Sequence, residues 1–582
     1  MAEAALPVAV LQEILAFAHA PALIPVAPSS VSATQGDFAK CVTEPTTAGL
    51  LLLACVCKTW RRATETLLES YETRVLTLHF TIGNEDAQQK EYEKFLKQHG
   101  YLVQDLRIHI VVPKQRLWWQ TLDASSTREN DDVGDYDDDD TEDGGSAGTN
   151  AVDTNCHPQW IDWNTLFVYC PHVQRLDLSK VPLHHFGIGD LLDAASRHCV
   201  NMQALVMPMK ERIHAEAVDA TIDETFRALY AAMARWYQPS DTGTGGTKGL
   251  LQLTVPSRNT LDHHHTSNQF LTTVTRFCPT IEYLDGWKRS YNDLRFVVSE
   301  ESLCVSQEVW AKFCTTCAYL REFSWVVVPF ADNFFLPFGE TQKSQLTHLQ
   351  LTYNAKAPFR IRRSEYSANG LCAVVRACPK LQTLDVILHR IQPSHAFVYP
   401  HLDEMIDGEV FNDQFITELV RSCPRLERLR IREVGGGSSL MNSITDHGIQ
   451  ALAGLKRLES VELQGAKCSA DGILSLSDDF PVNYEVSHKT IKIRELGSQF
   501  GEVVNDLLTN LAAGDSTLAH CEKPLVISLS CRRGFVFKKS FLESAFVEMK
   551  LQYAHLRFIA VLREKPSANS RDKDGFTRQE GG

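Results

Sequence analysis

Apolar residues along the chain follow two alternating patterns, one of helical period and one of strand period, which meet at a recurring cysteine. In each copy a helical run ends at that position, the chain turns, and leucine-like residues then alternate with polar ones. The copies with the cysteine begin at Cys170, Cys199, Cys278, Cys317, Cys378 and Cys423. Two more, Leu346–Leu351 and Leu455–Leu463, lack it. Because one unit cannot bury its own apolar face, the repeat predicts α/β units stacked into a curved solenoid with a parallel sheet.

Further elements are predicted outside these copies. Strands are expected at Val75–Phe80, Leu106–Val112, Leu525–Leu529 and Leu556–Leu562, with a degenerate strand at Leu250–Leu253 and a helix at Lys539–Tyr553. The pattern divides the chain into a helical module (1–70), the first strands and helices of the array (71–124), an acidic insertion (125–155), the solenoid (156–480), an α/β cap (481–563) and a polar tail (564–582). The insertion and the tail are too polar to bury an apolar core, which predicts disorder for both.

Charge is concentrated in one segment of the sequence. The formal net charge is −14, and ten acids with no Lys or Arg fall between Glu129 and Asp143. Without them the balance is −14 + 10 = −4, so the remainder is only mildly acidic. A nucleic-acid-binding protein needs a basic footprint, so we expect no nucleic-acid partner.

Hydropathy and the cysteines indicate the compartment. No apolar run reaches the length of about 18 residues that a membrane helix needs, so no membrane association is expected. The start of the chain has an apolar stretch without a basic segment before it, unlike a secretory signal. The repeated cysteines then predict reduced thiols that behave as small buried hydrophobes. We expect the protein to be cytoplasmic, nuclear or both.

The first 70 residues contain a motif of their own. Two helical segments, separated by a loop-like insertion at about 19–47, carry Leu6, Pro7, Leu11, Ile14 and Leu15 in the first and Val56-Cys-Lys-Thr-Trp60-Arg-Arg62 in the second. This pattern resembles the F-box, a small all-α module that docks onto the Skp adaptor of SCF ubiquitin ligases. The resemblance implies adaptor contacts through Leu6, Pro7, Leu11, Ile14, Leu15, Val56 and Trp60.

The array that follows resembles the cysteine-containing leucine-rich repeat, and Ile444–Leu452 matches the helical part of that family's repeat. The implied fold is α/β: a leucine-rich-repeat solenoid of horseshoe form with its parallel sheet on the concave face, preceded by the F-box-like module. The implied function is that of a non-catalytic substrate-recruiting subunit, bound through the Skp-type adaptor to a cullin-RING ligase. The alternative is a leucine-rich-repeat scaffold without a ubiquitin role, whose N-terminal helices only cap the solenoid.

Signals for catalysis or metal binding are weak. The segment 139–150 begins like a calcium loop but has Asn150 where a bidentate Glu is required. Cys314 and Cys317 have metal or redox spacing, yet Cys317 already occupies the repeat position, which favours a core role. The three histidines at 263–265 are typical of an exposed loop. The sequence therefore predicts no catalytic residue, no metal and no cofactor.

Polar residues between the leucines of each strand predict the binding surface, because alternate side chains of a strand point to opposite faces. The residues expected to hold a protein substrate on the concave face are Tyr283, Asp285, Trp287, Arg428, Arg430 and Arg432. Arg430 should lie between Asp385 and Glu462 as a structural ion ladder. Arg428 and Arg432 have no acidic neighbour in that alignment, which suggests that they grip an acidic or phosphorylated segment of the partner.

Overall fold

The structure is a computed structural model that describes part of the chain. The described residues are 60, 74–81, 84–111, 161–181, 187–207, 216–237, 249–254, 267–285, 305–325, 331–354, 366–389, 410–434, 443–477, 486–496, 499–512, 523–531 and 556–561. The chain divides into two compact units, Met1–Ser257 and Arg258–Gly582.

The first unit alternates short strands with helices. Its elements are β1 (Val75–Thr81), α1 (Glu85–His99), a 3-10 turn (Gly100–Leu102), β2 (Asp105–Val111), α2 (Trp163–Val168), β3 (Arg175–Lys180), α3 (Ile188–His198), β4 (Ala204–Val206), α4 (Glu216–Trp236) and β5 (Gln252–Thr254). The strands pair in chain order and every pair is parallel. A parallel pair requires a crossover connection, and a helix lies in each described crossover.

The second unit repeats the same alternation. Its elements are α5 (Ser267–Phe277), β6 (Tyr283–Asp285), α6 (Gln307–Thr316), β7 (Glu322–Trp325), α7 (Asp332–Glu340), β8 (His348–Asn354), α8 (Ala368–Arg376), β9 (Thr383–His389), α9 (Asp413–Ser422), β10 (Arg428–Val434), α10 (Asp446–Ala453), β11 (Ser460–Gln464), α11 (Ala470–Ser475), β12 (Lys489–Leu496), α12 (Phe500–Ala512), β13 (Leu525–Cys531) and β14 (Leu556–Val561). These strands also pair in chain order and in parallel. The predicted α/β alternation of helices with the strands of a parallel sheet is therefore confirmed within each unit, and it is consistent with a solenoid.

The repeated cysteine fills the core at the turn from helix to strand. All six thiols are fully buried, which confirms the predicted core role. The thiol of Cys199 donates to the backbone carbonyl of Cys170 at 3.3 Å, and the thiol of Cys423 donates to the carbonyl of Cys378 at 3.4 Å. Burial raises the pKa of Cys170 to about 12, so this thiol stays protonated. Cys199 and Cys423 thus each join their repeat to the one before it, whereas the thiol of Cys378 donates to the Val374 carbonyl of its own helix.

The other cysteine of the Cys-x-x-Cys pair is also a core residue. Cys314 lies inside α6, is 1% exposed, and burial raises its pKa to about 12. Cys317 ends the same helix and is fully buried. The interpretation of this pair as core is confirmed.

A second repeated device sets the register between neighbouring helices. Asp413, the first residue of α9, accepts hydrogen bonds from the backbone N–H of Thr445 (2.8 Å) and of Gly448 (3.1 Å) at the start of α10. Two more aspartates do the same for the next helix: Asp332 binds Ser367 before α8, and Asp446 binds Ser469 before α11. A carboxylate suits this place because a helix N-terminus presents unpaired N–H groups and a partial positive charge.

Glycine is required next to each of these aspartates. Gly370, Gly448 and Gly472 are the third residues of their helices, and a Cβ on any of them would overlap the aspartate carboxylate of the preceding helix. The close approach of the two helices, rather than backbone conformation, therefore selects glycine at this position.

The C-terminal region extends the sheet of the second unit. The predicted strands at Leu525–Leu529 and Leu556–Leu562 are confirmed as β13 and β14, but β12 and α12 were not predicted. Because β12 pairs directly with β11, the sheet crosses the boundary drawn at residue 480 without a break. The degenerate strand at Leu250–Leu253 is confirmed as β5, which begins two residues later and ends one residue later than predicted.

Several predictions fall outside the described residues. These are the acidic insertion 125–155, the tail 564–582, the helix Lys539–Tyr553 and the N-terminal module apart from Trp60. In the part of the chain that is described, no helix combines the length and apolarity needed to cross a bilayer.

Candidate functional site on the polar face of the sheet

Strands β8–β13 carry polar residues on the side opposite their buried leucines, which we call the polar face. The alternation is clear in β10, where Leu429 and Ile431 are buried in the core and Arg428, Arg430 and Arg432 occupy the other side. The polar face is the one part of the strands that the leucine pattern leaves for interactions other than core packing.

The middle of the polar face is an ion ladder centred on Arg430. Its guanidinium lies 3.6 Å from the Asp385 carboxylate on β9 and 3.3 Å from the Glu462 carboxylate on β11. The register pairs Arg430 with both residues, as the sequence predicted. Arg494 on β12 extends the ladder, with its Nε 2.6 Å from Glu462 Oε1. The two carboxylates are 3% and 5% exposed, so the ladder is largely desolvated.

The register places Arg428 beside Thr383 and Ser460 and Arg432 beside Ile387, as the sequence predicted, and the binding role of the two arginines stays a prediction. Arg428 Nη2 is 3.8 Å from a carboxylate oxygen of Glu459, in the turn before β11. That acid precedes the strand, so an alignment of strand positions alone overlooks it. Arg432 is only 8% exposed and lies beside Ile387 of β9. Arg428 keeps 31% of its side chain exposed, whereas Arg432 is largely buried.

The aromatic anchor predicted on β6 is not on the surface. Tyr283 is 6% exposed, and burial raises the pKa of its hydroxyl above the ordinary value. Tyr283 is therefore a core residue rather than a contact for a partner. Asp285 lies in β6, aligned with Ser324 of β7, and Trp287 lies outside the described residues.

Of the residues predicted to hold the adaptor, only Trp60 can be placed. It is helical, as predicted, and its side chain is half-buried. The others lie outside the described residues, namely Leu6, Pro7, Leu11, Ile14, Leu15 and Val56.

Two cations of the polar face were missed by the sequence argument. Lys492 and Arg494 lie on β12, where Lys492 pairs with Glu462 in register. The segment Lys489–Leu496 does alternate polar and apolar residues, a period-two signal that could have identified the strand. It was overlooked because no cysteine or leucine of the repeat pattern precedes it.

A second buried ion cluster lies in the first unit. Arg175 on β3 donates to Asp177 at 2.9 Å and lies 3.9 Å from Asp105 on β2, which also pairs with Arg107 at 3.1 Å. Arg175 and Asp177 are 5% and 8% exposed, so this cluster ties strands together rather than facing a partner.

His348, on β8 beside Thr383, is the titratable group of the polar face with the largest pKa shift among the described residues. Desolvation, and then the nearby Arg428 charge, lower its pKa to about 4. Glu322 lies 3.7 Å away, but its attraction does not offset the burial. The histidine is therefore neutral in the folded protein at pH 7.

We expect the free energy of unfolding to fall as the pH drops from 7 to 4, by up to about 3 kcal/mol from His348 alone. The folded pKa is below the unfolded value, so the unfolded chain binds the proton first. Denaturant titrations of wild type and His348→Gln at several pH values measure this, and the variant should lose that part of the slope. His447→Gln, which changes an exposed histidine of α10, should keep the wild-type slope. An unchanged slope in His348→Gln would contradict the assignment.

The polar face can bind through charge and hydrogen bonding. Within the described residues there is no group of three or more His, Cys, Asp or Glu side chains placed to hold a metal ion. Comparison of the sequence with models of known protein families gave no match, and comparison with curated proteins gave no match either.

Proposed function

We propose that this chain is the substrate-recognition adaptor of an SCF-type ubiquitin ligase. The N-terminal F-box-like helices bind a Skp-type adaptor, and through it a cullin-RING ligase, in the cytoplasm or nucleus. The leucine-rich repeats form a horseshoe whose concave surface is the polar face, and this surface holds a protein substrate for ubiquitin-dependent proteasomal degradation.

The observation that carries the proposal is the order of two features along the chain. The F-box-like segment Val56–Arg62 stands directly ahead of β1, the first described strand of the parallel repeat sheet. Trp60 supports the role of that segment, because its half-buried indole leaves apolar surface for a partner.

The role needs no bond chemistry from this chain. A receptor accelerates ubiquitin transfer by holding the substrate near the charged conjugating enzyme, which converts a bimolecular encounter into a local one. Repeat arrays suit this task since their regular stacking gives an extended surface on a rigid frame.

The adaptor interaction is tested by capture of a purified Skp-type adaptor on the immobilised full chain. We expect the wild type to retain the adaptor and a Leu6→Ala, Pro7→Ala, Trp60→Ala variant to lose it, by at least about tenfold in Kd, as for removal of central apolar anchors. Surface plasmon resonance gives the affinities, and thermal melting checks that the variant is folded.

Tyr101→Ala is the matched control, since this aromatic side chain is 59% exposed in the same unit and lies outside the motif. It should bind the adaptor like the wild type. If the folded wild type captures no adaptor, the proposal fails. The scaffold interpretation, in which the helices only cap the repeats, would then be the better one.

A further inference from the structure

Two histidines stand side by side on the sheet of the first unit. His79 on β1 and His109 on β2 are direct partners in the parallel register of the two strands. The residues before and after each histidine along its strand are buried in the core. Because alternate side chains of a strand point to opposite faces, both imidazoles lie on the side of the sheet away from the core.

The separation of the two rings matches that of two imidazoles bound to one metal ion. The ring centroids of His79 and His109 are 4.7 Å apart, and the rings meet edge to face. A metal ion lies about 2.0–2.1 Å from an imidazole nitrogen, hence about 3.2 Å from the ring centroid. Two imidazoles that are roughly 90–110° apart on one ion then have centroids about 4.5–5.2 Å apart. Rotation of the rings, without a shift of the strands, brings one nitrogen of each to a common point.

The two rings are available for ligation while their backbone is held in place. Among the described residues, neither ring makes a hydrogen bond or an ion pair. His79 is exposed and His109 is half-buried. The hydroxyl of Tyr92 on α1 accepts from the backbone N–H of His79 and donates to its carbonyl, each at 3.0 Å. The strand is therefore fixed to the helix, whereas the imidazole of His79 can turn in solvent.

The charges around the pair are close to balance. Arg107 is paired with Asp105 at 3.1 Å, and Asp177 is paired with Arg175 at 2.9 Å. Lys180, which is exposed and aligned with the histidine of β2, opposes a bound cation. A metal at this place therefore depends on nitrogen ligands rather than on a negative potential. This condition favours ions that prefer imidazole over ions such as Mg²⁺ and Ca²⁺, which prefer carboxylates.

We propose that His79 and His109 form a two-imidazole binding site for a divalent transition metal ion of the nickel, copper and zinc group. A structural zinc site has four protein ligands, and the described residues offer no group of three or more. The ion therefore keeps open coordination positions, exchanges with solvent and is not required for folding. The sequence predicted no metal, because the two histidines become neighbours only through strand register. The proposal does not rest on the proposed function.

The test is histidine modification of the full chain by diethyl pyrocarbonate at increasing Ni²⁺, with each histidine followed by peptide mass spectrometry. We expect His79 and His109 to become protected together. The matched controls in the same sample are His172 and His447, two exposed histidines that lie in different units. They should need at least about tenfold more Ni²⁺ for half-protection, because a second ligand in place raises the apparent affinity. Mg²⁺ should protect none of the four.

Single variants test whether the two rings act on the same ion. His79→Gln should raise the Ni²⁺ concentration that half-protects His109 by at least about tenfold, and His109→Gln should do the same for His79. Thermal melting without metal checks that each variant is folded, and His79→Gln alone decides the matter if the half-buried position does not tolerate Gln. Protection of His109 that is unchanged in His79→Gln overturns the proposal. Protection of the pair no better than that of the control histidines means an adventitious ion only and also overturns it.

Discussion

Replacement of Arg430 by Met should lower the free energy of unfolding by about 3–5 kcal/mol, because it takes the shared cation from two nearly buried carboxylates, of which Glu462 keeps Arg494. Asp385 and Glu462 are 3% and 5% exposed, and Arg430 lies between them at 3.6 and 3.3 Å. Methionine keeps much of the side-chain volume, so the loss reports the charge rather than a cavity. Urea denaturation followed by circular dichroism gives the difference.

Two controls separate the ladder from a general effect of losing an arginine. Arg421→Met on α9, where the side chain is 70% exposed, should cost no more than about 1 kcal/mol. Adding Asp385→Leu and Glu462→Leu to Arg430→Met also removes the two carboxylates that Arg430 neutralised, so much of the stability should return. If Arg430→Met alone is as stable as wild type, the ladder contributes nothing to the fold and its description as a structural element is wrong.

Replacement of Asp413 by Ala should cost about 3 kcal/mol, the second large effect. The substitution removes the acceptor of three hydrogen bonds that fix α10 against α9, from the Thr445 N–H (2.8 Å), the Thr445 hydroxyl (2.5 Å) and the Gly448 N–H (3.1 Å). Thermal and urea unfolding measure the loss. Asp190→Ala, which removes an exposed acid from the first turn of α3, should cost less than about 1 kcal/mol.

A double-mutant cycle tests whether the Asp413 carboxylate is the reason that position 448 requires glycine. With Asp413 present, Gly448→Ala should destabilise by about 1–3 kcal/mol, since the new Cβ overlaps the carboxylate. In the Asp413→Ala background the overlap is gone, and the same change should be neutral or stabilising by up to about 1 kcal/mol through the better helix propensity of alanine. An equal cost in both backgrounds would mean that the glycine serves some other purpose.

Much of the fold could be predicted from the sequence because the same pattern of cysteine and leucine positions recurs along the chain. The cysteine and leucine positions predicted strands such as β3, β9 and β10, and the need to stack predicted the parallel sheet. The strand β12 escaped because its local pattern lacks those anchors. Strand pairing depends on tertiary contacts. Alternation over eight residues therefore identifies a strand of the sheet only once its pairing with the neighbouring β11 is known.

The candidate site was harder to predict, for two physical reasons. Register identified the neighbours of Arg430, since parallel strands align residue against residue. Register does not identify groups in turns, which is why Glu459 beside Arg428 was missed. The polar and apolar pattern of a strand also does not predict how much of each side chain is exposed to solvent. Arg432 and Tyr283 occupy the polar positions of their strands, yet they are buried by packing that no single strand encodes.

The column of buried cysteines gives the protein a series of position-specific chemical reporters. A thiol reagent attacks the thiolate, and burial both shields these sulfur atoms and raises the pKa of Cys170 and of Cys423 to about 12. Labelling therefore requires local opening, and in a repeat array each unit contacts only its neighbours. The order in which the thiols are alkylated would map where along the chain the native state first comes apart.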